Sequence, residues 1–282
     1  MSEPTDSATD ADEPEILLPG GDVTVGVVRA GATVRRPPNP NSPFVHALLR
    51  HLEAVGFDGA PRFLGLDAKG RETLSFVEGE VAGRPRPEWI GDEDRLVSLA
   101  RLVRRYDDAT ASFVPPDGVR PDRGVATDPP GTPPEPAGEP EIVGHLDVTP
   151  ENVVFRDGRA VALIDFDLAA PATRADELSN LLLWWAPLFD PVDRDPLLRD
   201  VDVAARARLA LDAYGASDAD RERVVDVVAA RTARAWFLMR HRAETLGGGW
   251  ARMWDEGVGD VILRRRAWLE QNGDALRAAC AR

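Results

Sequence analysis

Apolar and polar positions change period along the chain, from short alternating runs in the first third to helical stripes in the rest. Residues 22–28 alternate as a strand, Arg29-Ala30-Gly31 reads as a turn, and residues 32–36 form a second strand stopped by Pro37-Pro38. Residues 43–55 follow as a helix with Val45, Leu48, Leu49 and Leu52 on one face. Two further strands are predicted at residues 62–66 and 73–77, joined by a turn at Lys69-Gly70. From there the period becomes 3.6. Residues 94–111 carry Leu96, Leu99, Ala100, Leu102, Val103 and Tyr106 on one stripe. Thr173-Arg174-Ala175-Asp176 caps a helix over residues 177–185, and further helices are predicted near residues 200–214, 219–245 and 259–269.

Two stretches break this pattern. Residues 1–15 are almost devoid of apolar side chains and read as a disordered acidic tail. Residues 113–140, crowded with Pro, Gly and Asp, read as an exposed loop before the most informative segment of the chain. That segment runs Gly-His-Leu-Asp-Val-Thr-Pro-Glu-Asn over residues 144–152. Pro150 cannot continue a helix, so Asp147 to Asn152 forms a tight, irregular turn. Val153-Val154-Phe155 is a strand that reverses at Asp157-Gly158, a strong hairpin signal, and returns over residues 160–164 into Asp165-Phe166-Asp167. A hairpin of this length brings its outer ends together, so Asp147, Asn152 and Asp165 converge at one mouth. Two carboxylates and an amide oxygen there form a hard oxygen site suited to Mg²⁺ that takes its remaining ligands from water and phosphate.

His-x-Asp, Pro-x-Asn and Ile-Asp-Phe-Asp in this order resemble the signature of the aminoglycoside phosphotransferase and choline kinase-like family, distant relatives of protein kinases, whose H-R-D-x-x-x-x-N and D-F-G play the same parts. The resemblance implies an α+β, protein kinase-like, two-lobed fold. Its small β-rich N-lobe would span residues 16–79 and its larger, mostly helical catalytic and acceptor-binding C-lobe residues 80–282. It also implies roles. Asp147 would orient or deprotonate the acceptor hydroxyl, Asn152 and Asp165 would hold Mg²⁺, and His145, Asp167 and Asp176 would support them. ATP or GTP would be the co-substrate, its adenine or guanine edge met by the backbone of the hinge at Ser75-Phe76-Val77. Arg35 or Arg36 would replace the phosphate-binding lysine; strand alternation puts Val34 and Arg36 on one face, which favours Arg36 without excluding Arg35.

Two departures stand against this pattern. The glycines at Gly20, Gly21 and Gly26 make a thinner set than the protein-kinase loop. The helix over residues 43–55 offers only His46 and Glu53 where relatives place a glutamate to pair with the strand cation. These departures favour an alternative, a kinase-like module that binds nucleotide or ligand without efficient transfer. The resemblance further offers Asp190, Asp193, Asp195, Glu244, Asp255 and Glu256 as acceptor ligands. The six indoles from Trp184 to Trp268 are read as core, the usual fate of Trp on helices.

Composition narrows the partners. A net charge of −14 over 282 residues argues against nucleic acid and is compatible with a cationic acceptor. No apolar run reaches membrane-spanning length, and Cys280, the sole cysteine, fits a reducing cytoplasm.

Overall fold

The computed structural model of the protein describes residues 14–18, 26–122, 128–136 and 138–281. Most of the predicted acidic tail, Gly20-Gly21, the start of the predicted 22–28 strand and parts of the Pro-rich loop lie outside the described residues.

The N-terminal lobe is one antiparallel sheet of β1 (Glu15–Leu17), β2 (Val28–Ala30), β3 (Thr33–Arg36), β4 (Phe63–Leu66) and β5 (Glu72–Ser75), in the order β1-β2-β3-β5-β4. The β2–β3 reversal sits two residues later than the sequence predicts. Gly31 takes the left-handed conformation (φ +56°) and turns the chain with Ala32, so Arg29 and Ala30 belong to the strand. A two-residue hairpin needs positive φ at its tip, and only Gly31 supplies it without strain. Helix α1 (Ser42–Ala54), with Pro at its first turn, packs Val45, Leu48, Leu49 and Leu52 inward as the periodicity predicts.

The chain crosses to the second lobe through residues 76–82. Gly79 (φ +151°) lies so close to the next lobe that a Cβ there would stand 2.5 Å from the Phe155 carbonyl oxygen and from Val154 Cγ1. Glu80 and Phe155 exchange backbone hydrogen bonds at 2.8 and 2.7 Å, which pins the crossing to the hairpin that Val153 opens.

The C-terminal lobe contains α2 (Glu93–Thr110), β6 (Ile142–Gly144), β7 (Val153–Arg156), β8 (Arg159–Leu163), β9 (Ala170–Ala172) and α3 (Arg174–Trp185). It ends in α4 (Val203–Tyr214), α5 (Asp218–Leu246), α6 (Gly248–Asp255) and α7 (Val258–Cys280). β7 pairs with β8 through a turn with Asp157 at φ +50° and Gly158 at φ +75°, the predicted hairpin. β6 pairs with β9. The α2 stripe from Leu96 to Tyr106 is buried throughout. Several elements go beyond the prediction: strand β1, which takes in Glu15 from the predicted tail, strands β6 and β9, helix α6, set off by Gly247 and Gly257 at positive φ, and the continuation of α7 to Cys280. One apolar core runs from α1 through α2 and the hairpin into α3, α4, α5 and α7. Among the described residues no helix is long and apolar enough to cross a membrane.

Candidate active site

The loop from β6 to β7 is held open by its surroundings. Leu146 adopts φ +60°, a conformation that costs a non-glycine residue about 1–3 kcal/mol and needs external support. Support comes from Glu177 in the first turn of α3, whose Oε2 accepts the Leu146 amide at 3.0 Å and whose charge is also favoured by the neighbouring His145 amide. Gly144 makes room for this, since a Cβ there would stand 2.7 Å from Glu177 Oε2. Asn180, one turn on, accepts the Val148 amide at 2.6 Å, and the Trp185 indole donates to the Val148 carbonyl at 2.9 Å. Burial pushes the Glu177 carboxyl up to about 7, against the two amides and Arg231. Asp107, also wholly buried, is raised well above its ordinary value by burial and by Glu177, although Tyr214 donates to it at 2.5 Å.

His145 props the loop from below. Its Nε2 donates to the Ile164 carbonyl at 3.0 Å and its ring packs edge-on against Phe166. Complete burial lowers it to about 4, so it is neutral and carries its proton on Nε2. Asp176 caps α3 in a reciprocal box with Thr173 and pairs with Arg231 at 3.3 Å. The bracing bonds to the loop come from Glu177 and Asn180, which the sequence reading passed over. Glu177 is recognisable afterwards as a carboxylate on a helical face otherwise filled by Leu178, Leu181 and Leu182.

The predicted trio does converge. Asn152 donates its amide nitrogen to the Asp147 backbone carbonyl at 3.0 Å and to Asp147 Oδ2 at 2.8 Å. The Ile164 amide donates to the Asn152 carbonyl at 2.9 Å and so sets Asp165 beside them. Asp165 is itself in the left-handed conformation at φ +63°. Burial, then the charge of Asp165, push Asp147 up to about 7 against the hydrogen bond from Asn152. Asp167 is raised by burial and by Asp165, opposed by Arg36.

The opposite wall is β3. Arg36, 6% exposed, points into the cleft, where Nη1 donates to Asp165 Oδ1 at 2.9 Å and Nη2 reaches Asp167 Oδ1. Arg35 faces the other side of the sheet, with Glu15 3.7 Å from its guanidinium. Burial disfavours the Arg36 charge, yet Asp167, Asp165 and Glu72 outweigh it and hold the guanidinium above the ordinary arginine value.

Glu72 is the acidic partner missing from the α1 sequence. It lies directly across from Arg36 in the β3–β5 register, and its Oε2 is 3.0 Å from Arg36 Nε. Neither His46 nor Glu53 takes that place: Glu53 pairs with Arg62 at 3.5 Å, and His46 Nε2 lies 2.6 Å from Glu72 Oε1 while its ring stacks on Phe63. Ser42, one turn before His46, also helps to hold the Glu72 carboxyl below its ordinary value. The helix therefore grips the cation through a strand carboxylate. Asn41 adds a second tie, donating to the Asp167 and Ala169 carbonyls at 2.9 and 3.1 Å and accepting the Asp122 amide at 2.9 Å.

Of the residues suggested as the hinge, Ser75 ends β5, which stops two residues short of the predicted strand, and Phe76 and Val77 lie just beyond it. The Ser75 hydroxyl accepts the Arg62 amide at 2.8 Å and the Phe76 amide donates to Ala32 at 2.8 Å, leaving Val77 to lead into Gly79. The acidic residues suggested as acceptor ligands are mostly engaged within the protein. Asp190 and Asp195 accept backbone amides of short helical turns, Asp193 is clasped by Arg264 at 2.5 and 2.8 Å, and Glu244 pairs with Arg240 at 2.8 Å. The Pro-rich segment is docked where it is described. Arg234 of α5, 5% exposed at its side chain, binds Asp128 at 2.8 and 2.9 Å, Glu135 at 3.1 Å and the Pro133 carbonyl.

Comparison with known proteins converges with this geometry. The sequence profile of a phosphotransferase enzyme family matches residues 91–214. The trifolitoxin immunity protein of Rhizobium leguminosarum bv. trifolii is 40% identical over 217 residues, which cover 75% of this chain and 78% of that protein. Among solved structures, a choline/ethanolamine kinase family protein from Mesorhizobium loti superposes with a TM-score of 0.58 at 17% identity, over 97% of this chain and 94% of its own. Amicoumacin kinase hAmiN, solved with AMP-PNP, Ca²⁺ and Ami, superposes with a TM-score of 0.59 at 12% identity, over 92% of this chain and 88% of its own. At such identities the structural likeness speaks for the fold, which is the two-lobed, kinase-like one that the sequence resemblance implies.

Proposed function

The chain belongs to the phosphotransferase enzyme family, and on that premise we propose that it moves the γ-phosphoryl group of ATP or GTP to a hydroxyl of a small molecule. The observation that carries this reading is the meeting of Asp147, Asn152 and Asp165 from one lobe with Arg36 from the other.

In this reading Asp147 accepts the hydrogen bond, and then the proton, of the acceptor hydroxyl. Its upward shift to about 7 suits a base working near neutral pH. Arg36 steadies the phosphates, and its three carboxylate contacts keep it charged and fixed in direction. The donor chemistry fits Mg²⁺. Asn152 spends its amide nitrogen on Asp147, which leaves the carbonyl oxygen for a cation, and the crowding of Asp147, Asp165 and Asp167 is a surplus of negative charge that a divalent ion relieves. Among the described residues no three His, Cys, Asp or Glu side chains form a metal-holding group of their own, so the protein would supply few ligands and phosphate and water the rest. When bound, the ion neutralises charge that develops on the phosphates.

The alternative, a binding module without efficient transfer, drew on the thin glycine set, of which Gly20 and Gly21 lie outside the described residues, and on the absence of an acidic partner for the strand cation. Glu72 supplies that partner and favours the enzyme. The acceptor is read as a hydroxyl compound, with a cationic one suited to the net charge of −14. The relatives are named for trifolitoxin immunity, choline or ethanolamine, and amicoumacin, so the acceptor panel should span trifolitoxin, amicoumacin, amino alcohols, aminoglycosides and sugars. A reducing, cytoplasmic setting completes the reading, supported by the single cysteine. The test is acceptor-stimulated release of ADP or GDP. Asp147→Asn should keep Mg·nucleotide binding and lose transfer by orders of magnitude, and Asp165→Asn should weaken the binding itself. Parent-like turnover by both variants would sink the proposal.

A further inference from the structure

The face of the N-terminal sheet that carries Arg36 carries a second arginine. Arg29 on β2 lies directly across from Val34, and Val34 and Arg36 share a face because they are two apart on β3. On β5 the same face presents Glu72, Leu74 and, just past the strand, Phe76. Arg29 is laid flat on that last ring, its guanidinium carbon 3.7 Å from the Phe76 centroid. Its edges are fixed as well: Nε donates to the Gly31 carbonyl at 2.8 Å and Nη2 to Glu78 Oε1 at 2.7 Å. One face of the planar cation is thus covered by Phe76 and its rim is engaged, while the side chain keeps 33% of its surface exposed.

We propose that the face of Arg29 turned away from Phe76 is a stacking platform for the base of a purine nucleoside triphosphate, making Arg29 a specificity-determining residue of the nucleotide cleft. The inference rests on the phosphotransferase reading above. One strand spacing and a two-residue step separate Arg29 from Arg36, about 8 Å between their backbones, the length scale that divides a nucleotide's base from its outer phosphates. A guanidinium plane stacks on a base as an aromatic ring does, and a pre-ordered one loses little entropy in doing so. Glu78 balances the charge of Arg29, so its contribution is the flat surface and not attraction to phosphate. A two-ring base covers that surface better than a one-ring base, which predicts a preference for ATP or GTP over CTP.

The test is calorimetric titration of the full chain with Mg²⁺ and, in turn, ATP, GTP, CTP and inorganic tripolyphosphate. Arg29→Ala should weaken purine nucleotide binding roughly 5- to 150-fold, the range for one stacked base, and leave tripolyphosphate binding unchanged. Arg29→Lys, which keeps the charge and removes the plane, should behave like Arg29→Ala. Unchanged tripolyphosphate binding also certifies that both variants are folded. Parent-like purine affinity in Arg29→Ala or Arg29→Lys, an equal loss toward tripolyphosphate, or a parent that binds CTP as tightly as ATP and GTP overturns the assignment and leaves the phosphotransferase reading intact. A parent that binds no nucleoside triphosphate overturns both.

Discussion

Glu72→Gln tests whether a strand carboxylate does the work that relatives assign to a helix. Glu72 is 3% exposed, accepts from His46 at 2.6 Å and forms an ion pair with Arg36 at 3.0 Å. Glutamine keeps the size and one acceptor oxygen but removes the charge. Stripping one partner from a buried ion pair costs roughly 3–5 kcal/mol when the other charge is left uncompensated. Here Arg36 retains Asp165 and Asp167, so the loss is closer to that of a single charged hydrogen bond, about 2 kcal/mol. The more telling effect is on direction. Without Glu72 behind it, Arg36 is held only by the two carboxylates across the cleft, which are the groups a metal and phosphates would engage. A loss of about tenfold in Mg·nucleotide affinity follows, about 1.4 kcal/mol. Burial works against the Glu72 charge, but His46, Ser42 and Arg36 hold the carboxyl below its ordinary value. A depressed carboxylate adds stability above its unfolded value that is lost as pH falls, so the parent should lose stability on acidification more steeply than Glu72→Gln. Urea denaturation between pH 4 and 7, with calorimetric binding at pH 7, reads both effects. An unchanged denaturation midpoint with unchanged affinity would refute the reasoning. A destabilised variant with parent affinity would make Glu72 a structural residue only.

Glu177→Gln should reverse the usual sign of such a change. A carboxyl raised to about 7 takes up a proton on folding, so the parent loses stability as pH rises from its ordinary 4.5 toward 7, by at most about 1.4 kcal/mol per pH unit for one proton. The variant cannot ionise and should show a flatter profile and the higher melting temperature above pH 7; a parent profile that is already flat would contradict this. Arg234→Ala should release the segment that Asp128 and Glu135 anchor, at a cost of about 1–2 kcal/mol because both acids are partly exposed. Limited proteolysis would show it as new cleavage between residues 113 and 140, and a cleavage pattern identical to the parent's would show the anchor to be idle.

The local rules were legible in the chain. Asp157-Gly158 specified its hairpin because few residue pairs tolerate two positive φ angles, and that hairpin brought Asn152 and Asp165 together through Ile164. Strand alternation put Arg36 on the cleft face, and the α2 stripe put its apolar side in the core. These features depend on neighbours a few residues away, so period and turn chemistry determine them. Tertiary structure decided the rest. Glu72 stands 36 positions from Arg36 and Glu177 stands 31 from Leu146, and each pairing follows from strand register or helix docking that no local pattern encodes. A carboxylate in a sequence looks the same whether it faces water or closes a buried ion pair, and burial alone separates the two. The cleft follows the same division: the side that holds Asp147, Asn152 and Asp165 is written contiguously between residues 144 and 167, whereas the arginine side is assembled from β2, β3, β5 and α1 and exists only once they are folded together.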